Sequence, residues 1–203
     1  MNKYNFTDYF QKLKDTVDAL DTDIMENFVD RLLDCRERDG FIYFFGNGGS
    51  AANASHIAGD FIKGISYGLE KPFRAMSLCD NVSGLTAISN DLGYDEIFLE
   101  QLRLYLKPND MVIGISGSGN SENVLKAMNY AKSLSAETIG LVGYKGGKLK
   151  ELVDLCIHVP VNDMEITEDI HVSIFHAIKQ EIIKKLKGDN VSYGTTYDKR
   201  VNQ

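Results

Sequence analysis

The sequence predicts an α/β fold in which a five-stranded parallel sheet is flanked by helices. Short apolar runs alternate with segments of helical character along most of the chain. The runs are continuously apolar, as is typical of parallel strands that are buried on both faces. Two of them, 41–45 and 111–115, end abruptly at glycine and serine, as strands do where they turn into helices. A chain of 203 residues is long enough for one such core.

The elements follow in order. Apolar residues at helical spacing from Phe6 to Glu37 predict a long N-terminal helix, or two shorter helices if 21–23 interrupts it. The predicted strands are 41–45, 75–79, 111–115, 138–142 and 155–159, and the predicted helices are 51–64, 82–89, 94–105, 121–134 and 165–187. We therefore expect a single domain over residues 1–187 and a polar C-terminal tail over 188–203.

The charge and the residue composition of the chain argue against some classes of binding partner. The net charge of −7 argues against a sequence-independent nucleic-acid surface and against a polybasic membrane anchor. The chain contains neither an apolar signal core at its N-terminus nor a run of about 18 apolar residues. Its three cysteines form no C-x-x-C pair, as is typical of free thiols in a reducing compartment. We expect a cytoplasmic protein that binds neither nucleic acid nor membrane.

Glycine and serine line two junctions between a predicted strand and a predicted helix. The first is Gly46-Asn-Gly-Gly-Ser50, and the second is Ser116-Gly-Ser-Gly-Asn-Ser121. Such junctions direct backbone N–H groups and hydroxyls to the positive end of a helix dipole, where a phosphate binds. Neither junction is a P-loop, because no lysine closes it. The alternative is that these residues only form tight turns. Because glycine and serine cluster at the ends of two strands, we favour the interpretation that the protein binds a phosphorylated small molecule.

Polar residues on two predicted helices form a second candidate site. His56 and Asp60 are spaced i, i+4 and so share a helix face, while Glu168 and His176 lie just over two turns apart on the last helix. Two histidines with two acidic residues are consistent with a metal site or an acid/base pair. Hydrogen-bonded core histidines are the alternative, and the spacing alone does not show that the two helices meet.

The motifs, taken together, resemble those of the phosphoheptose isomerases, which belong to the sugar isomerase (SIS) domain superfamily. The matching segments are 46–50 with His56, 87–91, 115–121 and 168–176, and the resemblance extends from the N-terminal helix to about residue 187. It implies a SIS-type, flavodoxin-like sheet and a homotetramer with active sites between subunits. It also implies interconversion of sedoheptulose 7-phosphate and D-glycero-D-manno-heptose 7-phosphate, for bacterial lipopolysaccharide or capsule.

The resemblance also implies roles for individual residues, by matching motif positions. The residues implied to hold the phosphate are Ser116, Gly117, Ser118 and Ser121. Those implied to bind the sugar are Asn47, Gly48, Gly49, Ser50, Asn90, Asp91 and Glu168. The implied Zn²⁺ ligands are His56, Asp60, Glu168 and His176. Asp60 and His176 are also implied to be the catalytic acid/base pair.

Three positions depart from the family pattern. Asp60 stands where glutamate is usual, Glu168 where glutamine is common, and Gly117 where threonine is common. A displacement of about 1 Å in a catalytic group can lower the rate by about 10²-fold, so the shorter Asp60 side chain matters unless its helix has moved. With Glu168, two histidines and two carboxylates would neutralise a divalent ion. Without a threonine at 117, the substrate has one fewer hydroxyl donor.

Two alternative functions follow from the same resemblance. Some SIS proteins are non-catalytic binding modules, such as the initiator-associating protein that binds DnaA, which 50–56 resembles. That group lacks the acidic residue at the position of Asp60 and the histidine at that of His176, so the presence of both favours an enzyme. The other alternative is an isomerase or epimerase of another phosphosugar.

Overall fold

The computed structural model describes residues 5–188 and contains the predicted five-stranded parallel sheet, in the order β2-β1-β3-β4-β5. The strands are β1 Phe41–Gly46, β2 Arg74–Ser77, β3 Met111–Ser116, β4 Glu137–Val142 and β5 Leu155–His158. Each begins and ends within two residues of the predicted bounds. The predicted fold class is therefore confirmed.

Helices occupy both faces of the sheet. They are α1 Thr7–Asp18, α2 Thr22–Glu37, α3 Gly49–Gly59, α4 Val82–Asp91, α5 Leu99–Tyr105, α6 Glu122–Ser133, α7 Gly147–Leu152 and α8 Met164–Lys187. A π-helical segment, Asp60–Ile65, continues α3, and a 3₁₀ turn, Tyr94–Glu96, precedes α5. The predicted C-terminal tail spans 188–203, and all of it beyond residue 188 lies outside the described residues. No helix within residues 5–188 is long and apolar enough to cross a bilayer.

The N-terminal segment forms two helices, so the long single helix is wrong and its alternative is confirmed. The break occurs because Asp21 has an extended backbone and caps α2. Its carboxylate accepts hydrogen bonds from the backbone N–H groups of Asp23 and Ile24, at 3.1 and 3.2 Å. These bonds satisfy two of the donors that a helix N-terminus leaves unpaired.

The core has two halves, one on each side of the sheet, because successive strand side chains point to opposite faces. On one side, Phe44 is fully buried among side chains of α2, α3 and α8. On the other side, Phe45 is fully buried among side chains of α5 and α6. All six residues of β3 are buried, which agrees with its continuous apolar sequence. The sheet thereby fixes α3 and α8 on the same face.

His171 on α8 is fully buried within this core. Its Nε2 lies 3.3 Å from the carbonyl oxygen of Val142, to which it donates, and its Nδ1 has no partner within the described residues. Burial lowers the pKa of His171 to about 4, although the bond to Val142 opposes this shift. His171 is therefore a neutral core residue at neutral pH.

This low pKa predicts an acid-sensitive contribution to stability. Since the unfolded chain binds the proton near pH 6.5 and the folded chain only near pH 4, stability is lost as pH falls between these values. Between pH 7 and pH 5, the free energy of unfolding should fall by about 2 kcal/mol more in the parent protein than in His171→Gln. Urea unfolding at the two pH values measures this difference, and equal losses would contradict the account.

Candidate active site

The two glycine- and serine-lined junctions lie side by side at the carboxyl edge of the sheet, because β1 and β3 are neighbours. Gly46 pairs with Ile115 in the parallel register. A Cβ atom at Gly46 would lie 2.6 Å from the carbonyl oxygen of Ile115 and 2.7 Å from the Cβ of Ser50. Only glycine permits this approach, so the residue type at 46 holds the two junctions together.

The serine loop, residues 116–121, follows β3 and leads into α6. The Oγ atoms of the buried Ser116 and of Ser121 lie 3.1 Å apart, and Ser116 Oγ also accepts a bond from the N–H of Gly119 at 3.2 Å. Ser118 is exposed at the tip of the loop. Ser121 is the N-cap residue of α6, yet its side chain makes no capping bond. The loop thus presents hydroxyls at a helix N-terminus, which is the geometry that binds an anion.

Helix α7, which the sequence analysis missed, supports the serine loop. Gly119 has a φ of +64°, and a Cβ atom there would overlap the carbonyl oxygen of Gly146. The N–H of Leu149 donates to the carbonyl oxygen of Gly119 at 2.9 Å, and the N–H of Gly143 donates to that of Gly117 at 2.8 Å. Helix α7 has only six residues, too few to show a helical repeat in the sequence.

Asn47, in the first junction, is held by two residues that sequence reasoning missed. Its side-chain amide exchanges two 2.9 Å hydrogen bonds with the amide of the buried Asn123, at the start of α6. The hydroxyl of Tyr94 also donates to Asn47 Oδ1, at 2.8 Å. Gly48, with a φ of +56°, then turns the chain into α3 with no side-chain cap. The sequence has no signal for this network, because its partners are far apart along the chain.

Glu168 reaches the first junction from α8. Its carboxylate lies so close to Gly49 that a Cβ atom there would overlap it. The side chain of Asn53 donates to the backbone oxygen of Glu168 at 3.0 Å, which joins α3 to α8. Burial raises the pKa of the Glu168 carboxyl, and the charges of nearby Glu165 and Asp169 raise it further.

Gly117, where the resemblance implies threonine, is closely packed against the start of α8. A Cβ atom there would lie 2.6 Å from the Sδ atom and 3.3 Å from the Cε atom of Met164, the first residue of α8. The thioether therefore fills the space that a threonine side chain would need. Gly117 is buried, whereas Met164 is partly exposed beside the serine loop.

His56, Asp60 and His176 meet in one cluster. The Nε2 atoms of the two histidines lie 2.8 Å apart. Asp60 Oδ2 is 3.7 Å from His56 Nε2 and 3.6 Å from His176 Nε2. Both imidazoles are about half exposed, at 52% and 47% of their side-chain surface, so a ligand can reach them. The spacing in the sequence did not show whether the helical segment of His56 and Asp60 meets α8, and the structure shows that it does.

The donor set of this cluster fits a divalent metal ion. Two imidazole nitrogens and one carboxylate oxygen all lie within 4.8 Å of one another. Three such protein ligands and an open fourth position are typical of catalytic zinc. Glu168, the fourth expected ligand, is not part of this group, because its carboxylate lies against Gly49 instead. The structure therefore gives a possible three-ligand metal site.

Lys179 is a further member of the site that sequence reasoning missed. It lies one turn beyond His176 on α8, and its Nζ donates to Asp60 Oδ1 at 2.5 Å. The i, i+3 spacing of His176 and Lys179 places both on one helix face, and this spacing is the only signal in the sequence.

Asn90 and Asp91 lie apart from these contacts, at the exposed end of α4. The hydrogen bond that the structure gives them, 2.7 Å from Asn90 Nδ2 to Asp91 Oδ1, joins them to each other. Helix α4 has no buried residue, although Val82 and the following Leu92 are large and apolar. Among residues 5–188, no hydrogen bond or ion pair joins Asn90 or Asp91 to the histidine cluster.

A family model described as the SIS domain matches residues 5–143, which is more than half of the chain. The parallel sheet with its serine loop after β3 thus defines a SIS-domain protein. A curated relative from Helicobacter pylori, named phosphoheptose isomerase, is 39% identical over 177 residues, which cover 87% of this chain and 91% of that protein. The chain therefore belongs to the phosphoheptose isomerase family.

Solved structures agree with this assignment. A phosphoheptose isomerase from Neisseria gonorrhoeae has a TM-score of 0.79 at 30% identity, covering 86% of this chain and 94% of its own. One from Francisella tularensis has a TM-score of 0.81 at 27% identity, covering 87% of this chain and 95% of its own.

Proposed function

We propose that this protein interconverts sedoheptulose 7-phosphate and D-glycero-D-manno-heptose 7-phosphate. The observation that carries the proposal is the cluster of His56, Asp60 and His176, assembled in a chain of the phosphoheptose isomerase family. An acidic group and an imidazole in contact are the groups that proton transfer between adjacent carbons requires. Apart from the resemblance of segment 50–56, no feature of residues 5–188 favours the alternative of a non-catalytic binding module.

The serine loop holds the phosphate in this proposal. Ser116, Gly117, Ser118 and Ser121 bind it with hydroxyls and backbone N–H groups at the N-terminus of α6. This local arrangement is needed because the net charge of −7 repels anions at long range. Phosphate binding far from the reacting carbons supplies free energy that can be used to orient them. The sugar lies against the first junction, which includes Asn47 to Ser50, with Glu168 beside it.

Asp60 and His176 move the protons. One of them removes a proton from C1 of the ketose and returns it to C2, through an enediol. The other donates a proton to the oxygen on C2 and accepts one from the oxygen on C1, so that the carbonyl moves from C2 to C1. Such acid/base catalysis contributes about 10²- to 10⁴-fold to the rate.

Zn²⁺ is the metal that we propose for the cluster, held by His56, Asp60 and His176. When bound, it stabilises negative charge that develops on the substrate oxygens. We also propose a homotetramer with sites completed between subunits, since the exposed apolar residues of α4 and Asn90 and Asp91 at its end would then face a neighbouring chain. We propose that the protein acts in the cytoplasm and that residues 1–187 form its single domain. Its product would serve the synthesis of heptose for lipopolysaccharide or capsule.

A screen of ketose phosphates with the purified, Zn²⁺-supplemented protein tests the function. Nuclear magnetic resonance spectra should show conversion of sedoheptulose 7-phosphate to the aldose. Conversion of a different phosphosugar instead would select the isomerase or epimerase alternative. No conversion of any of them, together with tight binding to a replication initiator, would select the binding module.

Replacing Ser118 by alanine should lower kcat/KM for the phosphosugar by about 10- to 100-fold, mostly through KM. The reason is that a hydrogen bond to a charged group contributes about 1.5–3 kcal/mol. Ser133→Ala is the matched control, because Ser133 is exposed at the other end of α6 and its hydroxyl donates only to the backbone of Tyr130. Initial-rate kinetics measure both variants. An unchanged KM in Ser118→Ala would contradict a phosphate at this loop.

A further inference from the structure

Lys179 binds one of the two carboxylate oxygens of Asp60, and the other oxygen faces the histidines. Its ammonium group binds Oδ1 at 2.5 Å, while Oδ2 faces His56 and His176 at 3.7 and 3.6 Å. The Asp60 and Lys179 side chains are 20% and 24% exposed, so the pair is largely shielded from solvent. A charge-assisted bond to one oxygen fixes the rotation of the carboxylate, because the other oxygen can then point in one direction only.

The backbone after Asp60 is shaped to admit the lysine. Asp60 begins a π-helical segment, a rare conformation that often marks functional sites. Gly64 lies in this segment, and a Cβ atom there would be 2.8 Å from Lys179 Cε, 2.9 Å from its Nζ and 3.3 Å from Asp60 Oδ1. Any other residue at 64 would displace the ammonium group or the carboxylate. The glycine, the π-helical segment and the lysine therefore act together.

We propose that Lys179 is a positioning residue that holds Asp60 in its productive orientation. The proposal deepens the proposed function and rests on it. Within residues 5–188 the structure gives the Asp60 carboxylate a single hydrogen bond, so its place beside the two imidazoles depends on one external group. Lys179 supplies that group from α8, the helix that also carries His176. It touches no reacting atom and acts through Asp60.

The test compares Lys179→Met, which keeps the length of the side chain but removes its charge, with Lys179→Arg, which keeps the charge. Loss of a group that orients a site residue typically lowers activity by about 10- to 100-fold. We expect Lys179→Met to lower kcat by this factor and to change KM by less than about threefold, because the phosphate loop is intact. Lys179→Arg should recover most of the loss. Gly64→Ala should also lower kcat, because its methyl group displaces the ammonium.

Lys185→Met is the matched control. Lys185 lies on the same helix and forms an ion pair of 2.6 Å with Asp30, but both side chains are more than half exposed. Its replacement should leave kcat unchanged. If Lys179→Met kept its kcat, or if Lys179→Arg were as slow as Lys179→Met, Lys179 would have no positioning role. A role in stability alone would lower the midpoint of thermal unfolding without separating kcat from KM.

Crystal structures of the parent and of Lys179→Met provide a readout that does not depend on turnover. We expect Asp60 Oδ2 to remain within about 4 Å of both imidazoles in the metal-free parent and to move away in the metal-free variant, because within residues 5–188 the bond from Lys179 is the one hydrogen bond that the structure gives this carboxylate. An unmoved carboxylate in Lys179→Met would overturn the proposal. If the parent isomerises no phosphosugar, the proposed function fails, and this comparison still decides whether Lys179 positions Asp60.

Discussion

Replacing His176 by alanine is expected to lower kcat by about 10²- to 10⁴-fold, the range that acid/base catalysis contributes. His176 contacts both His56 and Asp60, so its replacement removes an imidazole from the point where we propose that protons are transferred. KM should change little, because the phosphate is bound by the serine loop. Steady-state kinetics with a saturating phosphosugar measure this loss.

His158→Ala is the control for this experiment. His158 ends β5 and bonds to the backbone oxygen of Tyr144 at 2.9 Å, outside the histidine cluster. Its replacement should leave kcat within about threefold of the parent, as a substitution away from the reacting groups does. A His176→Ala variant as active as His158→Ala would show that His176 transfers no proton.

Replacing Phe44 by alanine is expected to lower the free energy of unfolding by about 3–5 kcal/mol. Phe44 is fully buried in β1, with ring centroids 5.4 Å from Phe61 and 5.9 Å from Phe175. Phe61 lies in the π-helical segment and Phe175 on α8, next to His176. The cavity would therefore remove the packing that brings the two helices of the site together.

Denaturant unfolding measures this loss, with Leu104→Ala as the control. Leu104 is 76% exposed, so its truncation should change stability by less than about 0.5 kcal/mol. Equal effects of the two substitutions would mean that Phe44 does not support the core. The Phe44→Ala variant should also lose activity as it loses stability. Asp60 and His176 lie on the two helical segments that Phe44 packs against, and the cavity would loosen both of them.

Much of the fold could be predicted because parallel strands leave a strong signal. The run at 111–115 is apolar throughout, and the structure buries every residue of β3. The serine loop is likewise local in sequence, so the position of Ser116, Ser118 and Ser121 at a helix N-terminus follows from the strand that precedes them. The two helices of the N-terminal segment could also be anticipated, since Asp21 is a favoured N-cap residue.

Contacts between distant segments could not be predicted in this way. Glu168 was expected beside the histidines, yet its carboxylate turns towards Gly49, because residues eight apart on α8 do not face the same neighbour. The network of Asn47, Asn123 and Tyr94 joins three elements whose proximity depends on the finished sheet. Helix α7 was missed because so short a helix has no periodicity.

The shorter Asp60 illustrates how a local departure can be offset elsewhere. Considered alone, a side chain one methylene shorter than the resemblance implies should draw the carboxylate away from the imidazoles, and a displacement of about 1 Å can lower the rate by about 10²-fold. In the structure its Oδ2 remains within 4 Å of both histidines, and Lys179 holds its other oxygen. A cation from a distant segment is a compensation that no local motif reveals.

We propose above all that the serine loop binds the phosphate group of the sugar while Asp60 and His176 transfer protons at C1 and C2. The most direct measurement is the ratio of kcat/KM for sedoheptulose 7-phosphate to that for unphosphorylated sedoheptulose. Two or more charge-assisted hydrogen bonds predict a ratio of at least about 10². Comparable values for the two sugars, or no turnover of either, would contradict the claim.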